Sequence, residues 1–273
     1  MANIPLSSGL TSEYQELFDS CQINAARAAA VDGLASKIEA QKSRYAAAGG
    51  NKIPWYFIGV IHNMESSLNF NRHLHNGDPL TKRTVQVPKG RPLTGNPPFT
   101  WEDSAKDSLG LKNLFNWTDW SIPGLLYKLE QYNGFGYRNF HPHVKSPYLW
   151  SFSNQYTSGK YVKDGVWSNT AKSDQCGAAV ILRRLAEKQA INFNNSGVPA
   201  LGNTAATSGP DISSLAPLVK YGPKKYSQVA ADLQAALNKL PGIFLKVDGF
   251  AGAKTSDAVK RLTGSFLDGD PRG

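Results

Sequence analysis

A chain of 273 residues with 30 Lys and Arg against 21 Asp and Glu carries a formal net charge of +9, which favours an acidic polymer as partner. Its 41% hydrophobic and 19% charged residues exclude wholesale disorder, and its longest apolar run, near 55–61, is far too short to span a bilayer, so no membrane insertion is expected. The basic residues are dispersed, no nucleic-acid motif is present, and two cysteines, Cys21 and Cys176, supply neither a disulfide framework nor a cysteine-based zinc site.

The opening MANIPLSSGLTSEYQ lacks the basic and apolar stretches of a secretory signal, which leaves the export route unspecified. From Glu13 to Ala48, apolar residues at spacings of three and four predict one long or two shorter amphipathic helices, stopped by Gly49-Gly50. A second helix is predicted from Pro54 to about Ser67. Residues 72–92 change to turn residues around the short β-type run Thr84–Val87, which predicts a hairpin or small sheet. Further helices are expected at about 100–114, 121–132 and 170–190. Residues 192–223, rich in Asn, Gly, Ser, Ala and Pro, have the composition of a flexible linker. The tail, 224–273, predicts helices around Val229–Leu240 and Thr255–Thr263. The fold class expected is mainly α, with a larger domain over 1–191 and a small helical domain over 224–273.

Chemistry concentrates in IGVIHNMESSLNFNRHLHNGDPLT, where an apolar helix ends in Glu65 and turn-rich chain leads on to Asp78. A carboxyl at the end of a buried helix is partly desolvated, which raises its pKa toward the value a general acid needs. A second carboxylate across a cleft stays solvated and ionised. Such a pair suits glycosidic cleavage, one group protonating the leaving oxygen and the other activating water or stabilising positive charge.

Glu65-Ser66-Ser67 within HNMESSLNF resembles the catalytic Glu-Ser motif of the lysozyme-like superfamily, which includes goose-type lysozymes and lytic transglycosylases. LEQYNGFGYR (129–138) resembles the Tyr-Asn-Gly segment lining the same cleft, and SPYLWSFSNQYTSGKYV (146–162) the aromatic segment that closes it. The order of these motifs agrees over about residues 50–190. The resemblance implies a lysozyme-like α+β domain with a small hairpin and Glu65 as general acid. Asp78 lies in the hairpin position where lysozymes with two carboxylates place theirs, and Thr81 or Thr84 is a candidate to hold a water. Lytic transglycosylases use one Glu, the sugar's own 6-hydroxyl attacking to give an anhydro product. Asp78 is equally an Asp-Pro turn former, and the sequence leaves both roles open. The substrate-binding residues implied are Ser66, His75, Tyr132, Asn133, Tyr137, Asn154 and Tyr156, the aromatic faces stacking on sugar rings and the amides bonding to hydroxyls.

The histidines offer a rival reading. His73 and His75, or His141 and His143, with Asp78 are donors that zinc accepts, as in an amidase or peptidase acting on the wall's peptide. No HExxH is present, and alternate strand residues face opposite sides, so no metal and no cofactor are assigned. Hydrogen-bonded loop histidines are the alternative.

The tail VAADLQAALNKLPGIFLKVDGFAGAKTSDAVKRL resembles a three-helix peptidoglycan-binding domain: Leu233-Gln234, then Leu245-Lys246-Val247-Asp248-Gly249-Phe250 with Gly252 and Thr255, then Ala258-Val259. Asp248-Gly249 is a turn signal, Gly252 accommodates positive φ, and Thr255 is expected to cap the last helix. Together the motifs imply a monomeric enzyme cutting the β-1,4 bond between N-acetylmuramic acid and N-acetylglucosamine in bacterial peptidoglycan, acting at the cell wall. A silent wall-binding protein, and chitinase or chitosanase specificity on the same fold, are the other readings.

Overall fold

The computed structural model of the chain describes residues 4–163, 165–191, 193, 212–240 and 242–273. Among the described residues the fold is mainly helical with one two-stranded sheet. Two compact units divide it, one of Met1–Gln15 with Ile23–Asn192, the other of Glu16–Gln22 with Phe193–Gly273.

The expected helical stretch 13–48 is three helices: α1 (Ser8–Asp19), α2 (Ala28–Ala40) and α3 (Lys42–Gly49). Gly50, at φ +58°, ends α3. Pro54 opens α4 (Trp55–Ser66), and Ser67 in the left-handed region closes it. Every residue of α4 from Tyr56 to Met64 is buried, as expected of a helix that is apolar all round. Helices α2 and α3 pack against it, together with α9 (Ala178–Glu187). Their approach depends on Gly59: a Cβ there would lie 2.5 Å from Ile38 Cγ2 and 3.0 Å from the Tyr45 ring. His62 is the one imidazole inside this helix. Burial pushes its pKa down to about 4, and it meets Tyr45 Oη through Nδ1 at 3.0 Å.

Next come α5 (Trp101–Leu111), α6 (Ile122–Asn133), α7 (Gly136–Phe140) and α8 (Pro147–Trp150). Thr100 caps α5 by accepting from the Asp103 amide at 3.1 Å, and Ser121 caps α6 at Gly124. Inside the unit, buried Glu130 accepts from Tyr14 Oη and from Arg138 Nε at 2.8 Å, so one α6 carboxylate ties α1 to α7.

The sheet is not where the sequence placed it. Strands β1 (Lys160–Lys163) and β2 (Val166–Ser168) pair antiparallel in the register Tyr161↔Trp167, whereas 72–92 holds only an isolated bridge, Arg72↔Pro79. The β-type run fails to pair because three of its four amides are already engaged. The amides of Val85 and Gln86 go to the Asp78 carboxylate, that of Thr84 goes to the Arg91 carbonyl, and Pro79, Pro88 and Pro92 have none to give. The helix expected at 170–190 begins only at Ala178. The segment before it bonds back to 151–159, as in Gly159 N to Ala171 O and Ser151 Oγ to Ser173 O.

In the second unit α10 (Ile212–Leu215), α11 (Gln228–Leu237) and α12 (Ala253–Thr263) enclose Val219, Leu233, Leu237, Ile243, Leu245, Val259 and Leu267. Most of the expected linker lies outside the described residues, but its end folds into this core: Lys220 bridges Asp268 and Gly222 bridges Ala251. Gln234 is the keystone. Its Oε1 accepts from the amides of Asp248 and Gly249 at 3.0 and 2.9 Å, while Nε2 donates to Asp248 Oδ1, Phe250 O and Thr255 Oγ1. Thr255 therefore does not cap the last helix: Gly252 holds the cap position, and the Thr255 hydroxyl turns inward to Gln234. The positive φ falls at Gly249 (+73°), not at Gly252.

Two substitutions test this packing. Gly59→Ala should lower the unfolding free energy in urea by about 1–3 kcal/mol, through overpacking against Ile38 and Tyr45. Gln234→Leu should remove amide-exchange protection at Asp248 and Gly249 while leaving the amides of α4 as protected as before.

Candidate functional site

Four helix ends converge on Glu65. It is the penultimate residue of α4, half-buried at the point where the apolar helix gives out. Tyr148, in α8, donates its hydroxyl to Glu65 Oε1 at 3.0 Å. Tyr132, at the end of α6, and Lys112, just past α5, both act on it electrostatically. Lys112 Nζ sits 4.7 Å from the Tyr132 ring centroid and donates to the Tyr132 carbonyl at 3.3 Å. Burial pushes the Glu65 carboxyl up to about 7, against the opposing pull of the Tyr148 hydroxyl and the Lys112 charge. Near neutrality this acid is both protonated and ready to ionise. The backbone at this corner is fixed as well. Gly77, at φ +77°, would place a Cβ 2.7 Å from the Glu65 carbonyl, and Gln175 Nε2 donates to the Met64 carbonyl at 2.9 Å.

Asp78 has the opposite environment. Burial would raise its pKa, but the amides of Gln86 and Val85 (3.0 and 2.8 Å) and the Asn76 side chain (3.1 Å), all on Oδ2, hold it below the usual range. Its carboxylate is turned into its own loop, where it organises residues 76–86. Thr84, expected to hold a water, is buried, and its hydroxyl donates to Pro88 O and accepts from Arg91 N at 2.9 Å, which closes the 84–91 turn. Ser66 bonds back to the His62 carbonyl at 3.2 Å within α4. His75 is buried with Nε2 on Asp107 Oδ2 at 2.8 Å and Nδ1 3.4 Å from Ser104 Oγ. Burial lowers its pKa despite the Asp107 carboxylate. These three side chains hold the fold, and a substrate would not find them free.

The remaining candidates fall in three places. Tyr132 is buried, its hydroxyl 2.7 Å from Ser108 Oγ and donating to Leu74 O at 3.0 Å, and Asn133 next to it is exposed. Tyr137 belongs to an aromatic cluster on the hairpin: its ring meets those of Tyr161 and Trp167 edge-on, and His141 stacks flat on Trp167 at 3.5 Å between centroids. Asn154 and Tyr156 line a separate cavity with Arg27 and Lys172, and the Tyr156 hydroxyl donates to Gly159 O at 3.2 Å.

Among the described residues no group of three His, Cys, Asp or Glu is placed to hold a metal. Both ring nitrogens of His73 are engaged, Nε2 donating to Lys82 O at 2.9 Å and Nδ1 meeting Ser104 Oγ at 2.8 Å. Tyr148 and Lys112 were not singled out from sequence. The only trace of Tyr148 was its place in the aromatic segment 146–162, and Lys112 left none.

No family model, no curated protein and no solved structure matches the chain.

Removing either group that favours the ionised acid should raise its pKa further. Tyr148→Phe and Lys112→Met are each expected to move the Glu65 carboxyl above about 7, as read by carbon-13 NMR titration of labelled glutamate.

Proposed function

We propose that the chain is a peptidoglycan-cleaving enzyme of the lysozyme-like kind, with Glu65 as its general acid and the second unit as a wall-binding module. The observation that carries this reading is the Glu65 carboxyl, raised to about 7 at the end of a buried helix and bonded by one tyrosine hydroxyl. In the step proposed, Glu65 gives its proton to the glycosidic oxygen as the bond from that oxygen to the anomeric carbon of N-acetylmuramic acid breaks. The sugar left behind is oxocarbenium-like, and the ionised Glu65 then takes the proton of the incoming hydroxyl. Asp78 is committed to three donors within its loop, so the one-carboxylate form is favoured, the sugar's own 6-hydroxyl closing on the anomeric carbon to give a 1,6-anhydro end. Tethering a wall-binding unit to such a site raises the concentration of the site at an insoluble polymer, so neither part needs high affinity alone. The net charge of +9 adds attraction to an anionic wall that weakens with salt. The zinc reading is disfavoured because the nitrogens of His73 and His75 are taken up inside the fold.

Mass spectrometry of the soluble products from purified peptidoglycan tests the reading. Wild type should release anhydro-muramyl ends, and Glu65→Gln should slow their release by roughly 10²–10⁴-fold. The rate should fall as pH rises through about 7, because the acid must carry its proton to act. Reducing ends would instead require an activated water. A Glu65→Gln protein as active as wild type would overturn the assignment.

A further inference from the structure

The first unit has a second polar site that the Glu65 chemistry does not use. An open cavity of about 470 Å³ is lined by Asn24, Arg27, Phe152, Asn154, Lys172 and Asp174 among others, a size within the range of small-ligand sites. Arg27 and Lys172 form no ion pair among the described residues, and neither does Asp174, so the cavity presents two cations, one anion and the Asn24 amide. Arg27 keeps its guanidinium 4.6 Å over the Phe152 ring, which positions it without neutralising it. Phe152 itself is held at φ +75°, in the left-handed region that costs a bulky residue on the order of 1–3 kcal/mol. The surroundings impose that conformation: Asn24 N donates to Phe152 O at 3.0 Å, and Ile23 bridges Ser153.

The cavity is tied to Glu65 by two stretches of chain. Tyr148, the partner of Glu65, is three residues before Ser151 on the cavity wall, a span of at most about 11 Å. Ser173 on the same wall is two residues before Gln175, which bonds to the carbonyl next to Glu65.

We propose that this cavity binds a short peptide carrying free carboxylates and an amino group. The carboxylates would face Arg27 and Lys172, the ammonium would face Asp174, and the amide of Asn24 would meet the peptide backbone. On the reading of the Glu65 site given above, on which the assignment of this peptide rests, it is the stem peptide that branches from the glycan. The cavity then selects peptide-bearing over bare glycan.

Isothermal titration of the full chain with synthetic L-alanyl-γ-D-glutamyl-L-lysine, with no glycan attached, tests the site directly. Wild type and Glu65→Gln should bind it equally. The double variant Arg27→Met, Lys172→Met, which keeps an apolar stem over Phe152, should lose affinity about tenfold or more at an unchanged melting temperature. Absence of binding to wild type, or equal binding to the double variant, overturns the proposal. Failure of the glycan reading is seen separately, as product release that Glu65→Gln does not slow. Peptide binding that persists in that case still supports the cavity as a peptide site.

Discussion

Helix α4 has no face for water, and the first unit is organised around that fact. Its residues from Tyr56 to Met64 are enclosed by α2, α3 and α9, an enclosure close enough that position 59 admits only hydrogen. Burial of the helix stabilises the unit in proportion to the apolar area removed from water. The same burial disfavours the charge on the carboxyl that terminates the helix. Moving Glu65 from an ordinary 4.5 to about 7 corresponds to roughly 3 kcal/mol. The sign is destabilising for the fold: the cost begins as pH climbs past the unfolded value and is complete above about 7. The helix thus gives up some stability to hold a proton.

The two carboxylates that the sequence set side by side are separated by their surroundings rather than by their chemistry. Glu65 has little water and one hydroxyl donor, so it is driven neutral. Asp78 has three donors converging on one oxygen, so it is driven ionic, and its charge fastens a loop that has few backbone partners of its own. Gly77 stands between these roles, its backbone pressed against the Glu65 carbonyl while its neighbour clamps the loop. The loop therefore lies against the backbone that carries the acid.

What the sequence made legible was local. A continuous apolar run with Pro54 before it located α4, and a carboxyl at the end of that run located Glu65. Asp-Gly at 248–249 marked a turn that the structure contains, with Gln234 of α11 bonded to both amides. What escaped was long-range. Thr84–Val87 has the composition of a strand, and nothing in those four residues reveals that a carboxylate seven and eight residues earlier takes the amides of Val85 and Gln86. The Tyr148 hydroxyl is 83 residues from its acceptor. His75 and Thr84 are residue types that suit a site, but each is spent on a partner that only the folded chain supplies, Asp107 for one and Arg91 for the other.

An acid whose midpoint lies at about 7 responds to electrical potential more steeply at neutral pH than at any other. A charged body docking within a screening length, about 8 Å in physiological salt, alters the fraction of molecules that carry the proton. An approaching anion loads the site, and a cation empties it. Glu65 therefore behaves as a voltmeter at the end of its helix, and its proton occupancy records the sign of whatever arrives.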